Sequence, residues 1–297
     1  MHFALERGSQ ALYGWTLTKP LGSGGFGEVW EARGQDGKIV ALKFLPCDSR
    51  FGRVVVNEVR QLVLLREIKH PHLLELYSVV TLTGWLVLIM ERADGSLQDL
   101  QRLYREESGQ NVAPRHLCEL LTQAAVALDF LAGLKLPGGN GQTSGMQHCD
   151  VKPANLLLVG DILKVADFGL STARMDSGCG RRGFGTPGYA PPEFAEGRVT
   201  PRSDQYMLAA TYYQLRTGRL PFDVEHRPGQ PAPANLDGVS LAEQAVLARA
   251  LRPDWLARWP SCTALMRALT DAVARESAAG EPRPDPAAFL RGRGVSP

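Results

Sequence analysis

Residues 147–169 read QHCDVKPANLLLVGDILKVADFG. In this stretch two apolar runs, LLLV and ILKV, are separated only by Gly160 and Asp161. A two-residue connection between such runs predicts a β-hairpin with a residue at positive φ in its turn. Because the open ends of a hairpin lie side by side, Asn155 and Asp167 should be within about one residue of cross-strand register.

Three polar side chains lie at the open end of this predicted hairpin. Asn155 and Asp167 would bring an amide oxygen and a carboxylate to one point, and hard oxygen ligands of this kind suit Mg²⁺. Asp150 lies just upstream, on the loop that enters the hairpin. A carboxylate base beside a carboxylate–amide metal site is typical of phosphoryl transfer, so the pattern predicts Asn155 and Asp167 as metal ligands.

The motif HCDxKxxN, which begins at His148, and the DFG that begins at Asp167 resemble the catalytic and magnesium loops of the protein kinase family. The resemblance is to bacterial (Hanks-type) serine/threonine protein kinases. It implies that Asp150 accepts or orients the proton of the substrate hydroxyl and that Lys152 neutralises charge on the transferring phosphoryl group. It also implies that Asn155 and Asp167 hold the Mg²⁺ ions that bridge the phosphates of ATP.

The resemblance implies an α+β fold of two lobes, a protein-kinase-like fold with a β-rich N-lobe and a mostly helical C-lobe. ATP would lie in the cleft between them. The expected organisation is a lead-in over residues 1–14, the N-lobe over 15–92, the C-lobe over 93–275 and a tail over 276–297. The tail is rich in proline and glycine, which is typical of disordered segments.

A glycine-rich stretch, LGSGGFGEV, begins at Leu21 and matches the pattern G-x-G-x-x-G-x-V. A dinucleotide-binding fold uses the same letters but needs a helix directly after the glycines. Here the residues from Val29 onward continue as a strand, and a second strand is predicted over residues 38–45. The order of strand, glycines and strand predicts a hairpin lid over phosphates. The resemblance implies nucleotide contacts at Leu21, Gly22, Ser23, Gly24, Gly25, Phe26, Gly27 and Val29.

Ala41 and Lys43 share one face of the second strand, because side chains alternate along a strand. Ala41 is small enough to border a flat base, and the resemblance implies that Lys43 pairs with the α- and β-phosphates. The resemblance also implies a glutamate partner for Lys43 on a helix predicted over residues 54–69, for which Glu58 is the candidate. The alternative is that Glu58 is a solvated helix charge, because the family's usual spacing falls at Gln61.

Residues 90–93, MERA, resemble the hinge of the family, where the backbone of Glu91 and Ala93 would hydrogen-bond adenine. A lysine at the position of Lys152 goes with serine/threonine kinases, whereas tyrosine kinases carry a different pattern. Thr186, in a Gly-Thr-Pro motif, supports the same class. Its hydroxyl is expected near Lys152 and the catalytic carboxylate.

Cys149 departs from the family pattern, since most members have arginine at this position. That arginine pairs with a phosphate on the activation loop. A thiol cannot form a bidentate ion pair. We therefore expect an enzyme that does not need activation-loop phosphorylation through this contact.

Three further residues are expected to be scaffold. Glu193, in a Pro-Pro-Glu motif, should form a buried ion pair with Arg258. Asp204 resembles the aspartate that braces the backbone of the catalytic loop from the following helix. None of the three is expected to take part in the chemistry.

Composition argues against several classes of protein. The formal net charge of +2 at pH 7 gives no reason to expect a nucleic-acid partner. The five cysteines are dispersed without a CxxC pair, which indicates reduced thiols and a cytoplasmic protein. The most apolar window is too short and too interrupted to span a bilayer, and the N-terminus lacks the pattern of a signal peptide.

Two rival functions remain open. A pseudokinase would keep the fold as a binding module without transfer, and the presence of Lys43, Asp150, Asn155 and Asp167 argues against it. A kinase-like small-molecule phosphotransferase would share an aspartate–asparagine loop, but Lys152 favours protein substrates. The expected reaction is transfer of the ATP γ-phosphoryl group to serine and threonine hydroxyls of proteins, with autophosphorylation in trans.

Overall fold

The computed structural model describes residues 5–24, 27–46, 66–82, 84–137, 143–167, 185–222 and 234–276. The chain divides into two compact units. The N-terminal unit consists of Met1–Lys69 and Leu74–Ala93, and the C-terminal unit consists of residues 70–73 and 94–297. The boundary after Ala93 lies one residue later than the lobe boundary expected from the sequence.

The N-terminal unit contains an antiparallel sheet of five strands in the spatial order β1-β2-β3-β5-β4. The strands are β1 Trp15–Gly24, β2 Gly27–Gly34, β3 Ile39–Pro46, β4 Leu76–Leu82 and β5 Trp85–Met90. On β3 the side chains of Val40, Leu42 and Phe44 are fully buried in the core cluster of the sheet. Alternation therefore places Ala41 and Lys43 on the other face, as predicted. A β-rich N-lobe is confirmed.

Residues 5–14 pack against the same sheet. The Gly8 N–H donates to the Leu17 carbonyl at 2.8 Å, and the Leu17 N–H donates to the Ser9 carbonyl at 3.0 Å. Ala11 and Leu12 belong to the core cluster of the sheet. This part of the lead-in thus contributes apolar surface to the N-terminal unit, which its sequence did not indicate.

The C-terminal unit is mostly helical, as expected. Its longer helices are α1 Leu97–Ser108, α2 Pro114–Gly133, α3 Ser203–Thr217, α4 Leu241–Ala250 and α5 Cys262–Glu276. Its strands are β6 Gly95–Ser96, β7 Leu136–Pro137, β8 Thr143–Ser144, β9 Leu156–Val159 and β10 Ile162–Val165. Strands β10, β9 and β6 form one small sheet in that order, and β7 pairs with β8. Short 3-10 turns are formed by Pro153–Asn155, Pro192–Glu196 and Trp255–Ala257.

Side-chain caps determine where several of these helices begin. Ser96 accepts from the Asp99 N–H, and the Asp99 carboxylate accepts from the Ser96 N–H, which is the capping box of α1. At α5 the cap comes from another helix, because Asp129 of α2 accepts from the N–H groups of Cys262 and Thr263 at 2.8 and 2.9 Å.

Within the described ranges, no helix is long and apolar enough to cross a membrane.

Candidate active site

The hairpin predicted from the sequence is present. Strands β9 and β10 pair antiparallel over all four residues of each strand. Gly160 in the turn has a φ of 58°. At the open end the Ala166 N–H donates to the Asn155 carbonyl at 2.9 Å. Asp167 is the next residue, so the predicted register of Asn155 and Asp167 is confirmed.

The side chains of Asp150, Lys152 and Thr186 form a closed triangle beside this hairpin. Lys152 Nζ lies 2.9 Å from Asp150 Oδ2 and donates to Thr186 Oγ1 at 2.7 Å. Thr186 Oγ1 donates in turn to Asp150 Oδ1 at 2.7 Å. The prediction that the Thr186 hydroxyl lies near the Asp150 carboxylate and Lys152 is confirmed.

The electrostatic balance of this triangle keeps Asp150 ionised. Burial alone would raise the pKa of Asp150, but hydrogen bonds from Lys152 and Thr186 and the charge of Lys152 lower it by more. The pKa of Asp150 therefore lies below its ordinary value. An ionised carboxylate can only accept hydrogen bonds, so this residue can accept one from a hydroxyl group.

Asn155 is oriented by the same carboxylate. Its Nδ2 atom donates to the Asp150 carbonyl at 2.8 Å and to Asp150 Oδ2 at 3.0 Å, which uses both amide hydrogens. The amide oxygen is then the atom that Asn155 can offer to a cation. Within the described ranges, no group of three or more His, Cys, Asp or Glu residues could hold a metal ion. A cation at Asn155 and Asp167 would complete its shell with phosphate or water oxygens, as Mg²⁺ usually does.

His148 supports this loop, although no role was expected for it from the sequence. It is fully buried, and its Nε2 atom lies 2.7 Å from the Ala166 carbonyl. The Asp150 N–H donates to His148 Nδ1 at 3.2 Å. Because Nδ1 accepts, the proton lies on Nε2 and is donated to Ala166. His148 thereby connects the loop of Asp150 to the strand end that carries Asp167, and only its place in the motif could have indicated this.

Asp204, near the start of α3, braces the same loop. Its carboxylate accepts from the His148 N–H at 2.7 Å and from the Cys149 N–H at 2.9 Å. The brace expected from the sequence is confirmed. Burial raises the pKa of Asp204, and these two backbone hydrogen bonds oppose that rise.

Cys149 belongs to the same loop, and its side chain is buried, with only 1% of the residue's surface exposed. Burial raises the pKa of its thiol well above the ordinary value, so the sulfur is protonated and a poor nucleophile. The backbone of Cys149 has a left-handed φ of 64°. Asp167, with a φ of 60°, is the only other non-glycine residue with a positive φ in the part of the chain that the structure describes. Strained backbone of this kind is concentrated at functional sites.

The predicted pair of Glu193 and Arg258 is confirmed. Arg258 donates from Nη1 to Glu193 Oε1 at 2.9 Å and from Nη2 to Oε2 at 2.7 Å. Arg258 Nε donates to the Arg252 carbonyl at 2.7 Å. Ser203 Oγ donates to Glu193 Oε1 at 2.9 Å. Burial would raise the pKa of Glu193, but Arg258 and these hydrogen bonds lower it.

The N-terminal unit carries the second group of predicted site residues. Strands β1 and β2 form the expected hairpin, in which Gly24 lies opposite Gly27. Gly25 and Phe26 lie outside the described residues. Gly27 has a φ of 123°, and a Cβ atom there would overlap the carbonyl oxygen of Phe44 on β3. This glycine is thus required by the sheet itself, apart from any approach to phosphates.

Lys43 lies on β3 of the same sheet, and residues 91–93 of the predicted hinge directly follow its strand β5. Lys43 is 6% exposed and is opposite Val29 on β2. Glu58, the candidate partner of Lys43, lies outside the described residues. In the hinge, the Glu91 N–H donates to the Glu75 carbonyl at 2.9 Å. The backbone group with which Glu91 would bind adenine is therefore its carbonyl oxygen.

Comparison with known proteins gives a family and several relatives. A family model described as the protein kinase domain matches residues 15–271. Sucrose non-fermenting protein kinase 1 of Fusarium virguliforme is 31% identical over 224 residues, which are 74% of this chain and 30% of that protein. A probable LRR receptor-like serine/threonine-protein kinase of Arabidopsis thaliana is 29% identical over 222 residues, which are 73% of this chain and 21% of that protein. PTI1-like tyrosine-protein kinase 2 of Arabidopsis thaliana is 32% identical over 216 residues, which are 71% of this chain and 58% of that protein.

Two points follow from these relatives. They come from a fungus and a plant, so they do not support the bacterial type that the sequence motifs suggested. The chain spans only part of the length of these relatives, from about a fifth to about three fifths.

Proposed function

Because the chain belongs to the protein kinase family, we propose that it is an enzyme that transfers the γ-phosphoryl group of ATP to serine and threonine hydroxyls of proteins. The observation that carries the proposal is the environment of Asp150. Its ionised carboxylate is hydrogen-bonded by Lys152 and Thr186 and lies on the loop that enters the β9–β10 hairpin. Such a group can orient an attacking hydroxyl.

Each residue of this cluster has a distinct role in the proposed reaction. Asp150 accepts the hydrogen bond of the substrate hydroxyl and receives its proton as the new phosphate ester forms, while the bond from the γ-phosphorus to the bridging oxygen breaks and ADP leaves. Lys152 places a positive charge beside the group in transfer, where negative charge is spread over the phosphoryl oxygens. Thr186 keeps Lys152 and the carboxylate at a fixed separation. Positioning and charge neutralisation then supply the rate enhancement.

ATP is the phosphoryl donor in the protein kinase family. On the N-terminal unit, the proposed contacts are the glycine hairpin, Ala41 beside the base, Lys43 at the phosphates, and the hinge backbone of Glu91 and Ala93. We propose Asn155 and Asp167 as the ligands of Mg²⁺, which would neutralise the phosphate charges when bound. The oriented amide oxygen of Asn155 supports this assignment.

The specificity for serine and threonine rests on Lys152 and its contact with Thr186. The names of the relatives differ on this point, since one is a serine/threonine kinase and another a tyrosine kinase. Peptides that are identical except for one Ser, Thr or Tyr acceptor test the specificity directly. Labelling of the Ser and Thr peptides and not of the Tyr peptide is the expected result, and preferential labelling of Tyr contradicts it.

Substitution of the catalytic carboxylate separates an active kinase from a pseudokinase. We expect Asp150→Asn to lower phosphoryl transfer by about 10²–10⁴-fold, because the general base is lost, while ATP binding persists. Asp161→Asn, which removes an exposed carboxylate from the turn of the same hairpin, is the matched control. If wild-type protein and Asp150→Asn show the same transfer rate, the proposal is wrong.

The acceptor class distinguishes a protein kinase from a small-molecule phosphotransferase. Incubation with labelled ATP and a mixture of protein and metabolite acceptors should place the label on protein. Autophosphorylation in trans predicts a rate per molecule that rises with enzyme concentration. Label found only on a small molecule would falsify the protein-kinase assignment.

Cys149 bears on how the enzyme is controlled. The buried thiol cannot reach or pair with a phosphate, so we propose that activity does not require activation-loop phosphorylation through this residue. Phosphatase-treated protein should retain most of its initial transfer rate with a peptide acceptor. A large loss of rate after the treatment, restored by rephosphorylation, contradicts this prediction.

We also propose that the enzyme acts in the cytoplasm. Cys118, Cys149 and Cys262, the cysteines that the structure describes, are buried free thiols. Reduced thiols are usual in that compartment. Cell fractionation with an antibody against the chain tests the location, and recovery from an oxidising compartment would contradict it.

A further inference from the structure

The N-terminal unit contains an ion pair that none of the roles above uses. Glu31 lies on β2, and Arg92 lies in the hinge segment that follows β5. Arg92 Nε donates to Glu31 Oε2 at 3.1 Å. The side chains are only 26% and 13% exposed for Arg92 and Glu31, so this pair is more shielded than an ordinary surface pair.

The position of Glu31 connects this pair to the surface proposed for adenine. Glu31 is directly opposite Ala41 on β3, and Ala41 is directly opposite Met90 on β5. Residues directly opposite each other in an antiparallel sheet share a face. Glu31 therefore lies on the face of Ala41 and Lys43, away from the core cluster.

The second carboxylate oxygen of Glu31 is also held. Thr18 Oγ1 donates to Glu31 Oε1 at 2.8 Å, and Lys19 Nζ lies 3.7 Å from Oε2. Burial would raise the pKa of Glu31, but Thr18, Lys19 and Arg92 together lower it. The ionised carboxylate is thus fixed to β1 on one side and available as a rigid anchor for Arg92 on the other.

Arg92 is the residue between Glu91 and Ala93, whose backbone groups are proposed to bind adenine. A guanidinium fixed by Glu31 restrains the backbone from which it extends, and with it the two peptide groups on either side. Without this anchor, the hinge would have to lose conformational freedom each time adenine binds.

We propose that the Glu31–Arg92 pair holds the hinge backbone in the conformation that binds adenine, so that both are positioning residues for the nucleotide. The inference rests on the proposed function, because it assumes that the hinge binds ATP. The pair is not part of the cluster of Asp150, Lys152 and Thr186. Its loss should therefore raise the KM for ATP and leave kcat nearly unchanged.

A double-mutant cycle tests this coupling. We expect Arg92→Gln and Glu31→Gln each to weaken ATP binding by about fivefold to tenfold, and the double variant to be no weaker than the weaker single variant. Arg92→Lys, which keeps the charge, should recover part of the affinity. Inorganic tripolyphosphate, which lacks adenine, should bind all of these variants as it binds the wild type.

The matched control is Lys19→Met, which removes a cation from the same carboxylate without touching the hinge. Its ATP affinity should match the wild type. If Lys19→Met weakens ATP binding as much as Arg92→Gln does, or if tripolyphosphate loses affinity equally, the effect is one of charge and the inference is wrong. Losses that add up in the double variant also overturn it.

Direct binding separates this inference from the proposed function. Affinity is measured by displacement of a fluorescent ATP analogue in the presence of Mg²⁺, which needs no turnover. If the protein binds ATP in the expected manner but transfers no phosphate, the proposed function fails and the inference stands. If transfer proceeds and the variants bind ATP normally, the inference fails alone. Thermal unfolding of each variant without nucleotide identifies any loss of fold. If Arg92→Gln fails to fold, the ATP affinity of Arg92→Lys is compared with that of the wild type, and equal affinity overturns the inference.

Discussion

At the scale of single residues, Gly27 shows how one missing Cβ atom maintains a sheet. We expect Gly27→Ala to destabilise the N-terminal unit by about 1–3 kcal/mol, because the added atom overlaps the backbone carbonyl of Phe44 and the φ of 123° disfavours a side chain. Denaturant unfolding without nucleotide measures the loss. Gly22→Ala on β1 is the control, since its Cβ would meet nothing within 4 Å. Equal stabilities of the two variants would refute the packing explanation.

Thr186 is hydrogen-bonded to both Lys152 and Asp150, which also contact each other directly. Thr186→Val keeps the volume and removes the hydroxyl, so it breaks two hydrogen bonds of 2.7 Å at once. We expect kcat to fall by about tenfold to a hundredfold through misplacement of the reacting groups. Thr186→Ser should retain most of the rate. Steady-state kinetics with a peptide acceptor measures both, and an unchanged kcat in Thr186→Val would show that the hydroxyl is dispensable.

Individual site residues were predictable where the chain brings them together locally. Asn155 and Asp167 meet through a two-residue turn, and their register follows from the alternation of the hairpin. The Glu31–Arg92 pair joins residues 61 positions apart and follows no spacing rule. The left-handed backbone of Cys149 could not be predicted from the sequence either, because it arises from the surrounding hydrogen bonds and not from its own residue type.

At the scale of elements, helix α3 fixes the loop of Asp150 through Asp204. Asp204→Asn keeps the shape but turns an NH₂ group toward one of the N–H donors of His148 and Cys149. We expect a loss of about 1–3 kcal/mol of stability, because a buried donor is left unsatisfied, together with a lower kcat. Asp271→Asn, on the exposed side of α5, should change neither.

Thermal unfolding and kinetics on the same preparations check the Asp204 prediction. A variant that unfolds earlier yet keeps full kcat would limit the brace to stability. A variant with wild-type stability and wild-type kcat would show that the two backbone hydrogen bonds contribute nothing measurable.

Most helices and strands were predictable because their signals are local. Ser96 and Ser240 begin helices with capping boxes, and Pro114 occupies the first position of α2, where proline is favoured. The cap of α5 was only half predictable. Ser261 is a local cap, because its Oγ accepts from the Ala264 N–H at 3.1 Å, whereas Asp129 of α2 accepts from the Cys262 N–H across 133 residues of sequence. Packing between helices decides such contacts, and no local pattern encodes it.

At the scale of the whole molecule, Glu193 and Arg258 join segments that are 65 residues apart. We expect Glu193→Gln to cost about 3–5 kcal/mol at neutral pH, because it leaves the buried guanidinium of Arg258 without its counter-charge. Glu196→Gln, which affects an exposed pair in the same 3-10 turn, should cost about 0–1 kcal/mol. Denaturant unfolding compares the two variants with the wild type, and similar losses in both would contradict a special role for burial.

The same pair gives a pH dependence with a defined sign. The folded-state pKa of Glu193 lies below the ordinary value of 4.5. The stabilisation is therefore complete above pH 4.5 and is lost as the pH falls through the lower, folded-state pKa. The difference in stability between wild type and Glu193→Gln should shrink over that acidic range. A constant difference there would show that the ionised carboxylate is not its source.

Residues 70–73 belong to the C-terminal unit although they precede β4 of the N-terminal unit in the chain. The Val165 N–H donates to the His72 carbonyl at 2.9 Å, and the ring of His70 stacks on Phe130 at 4.7 Å. Neither unit is therefore a continuous segment, and a single proteolytic cut after Ala93 would leave the C-terminal unit without residues 70–73. During synthesis, residues 70–73 leave the ribosome several seconds before β10 exists to receive them. During this interval residues 70–73 lack their contacts with Phe130 and Val165, although all five strands of the N-terminal sheet have already been synthesised.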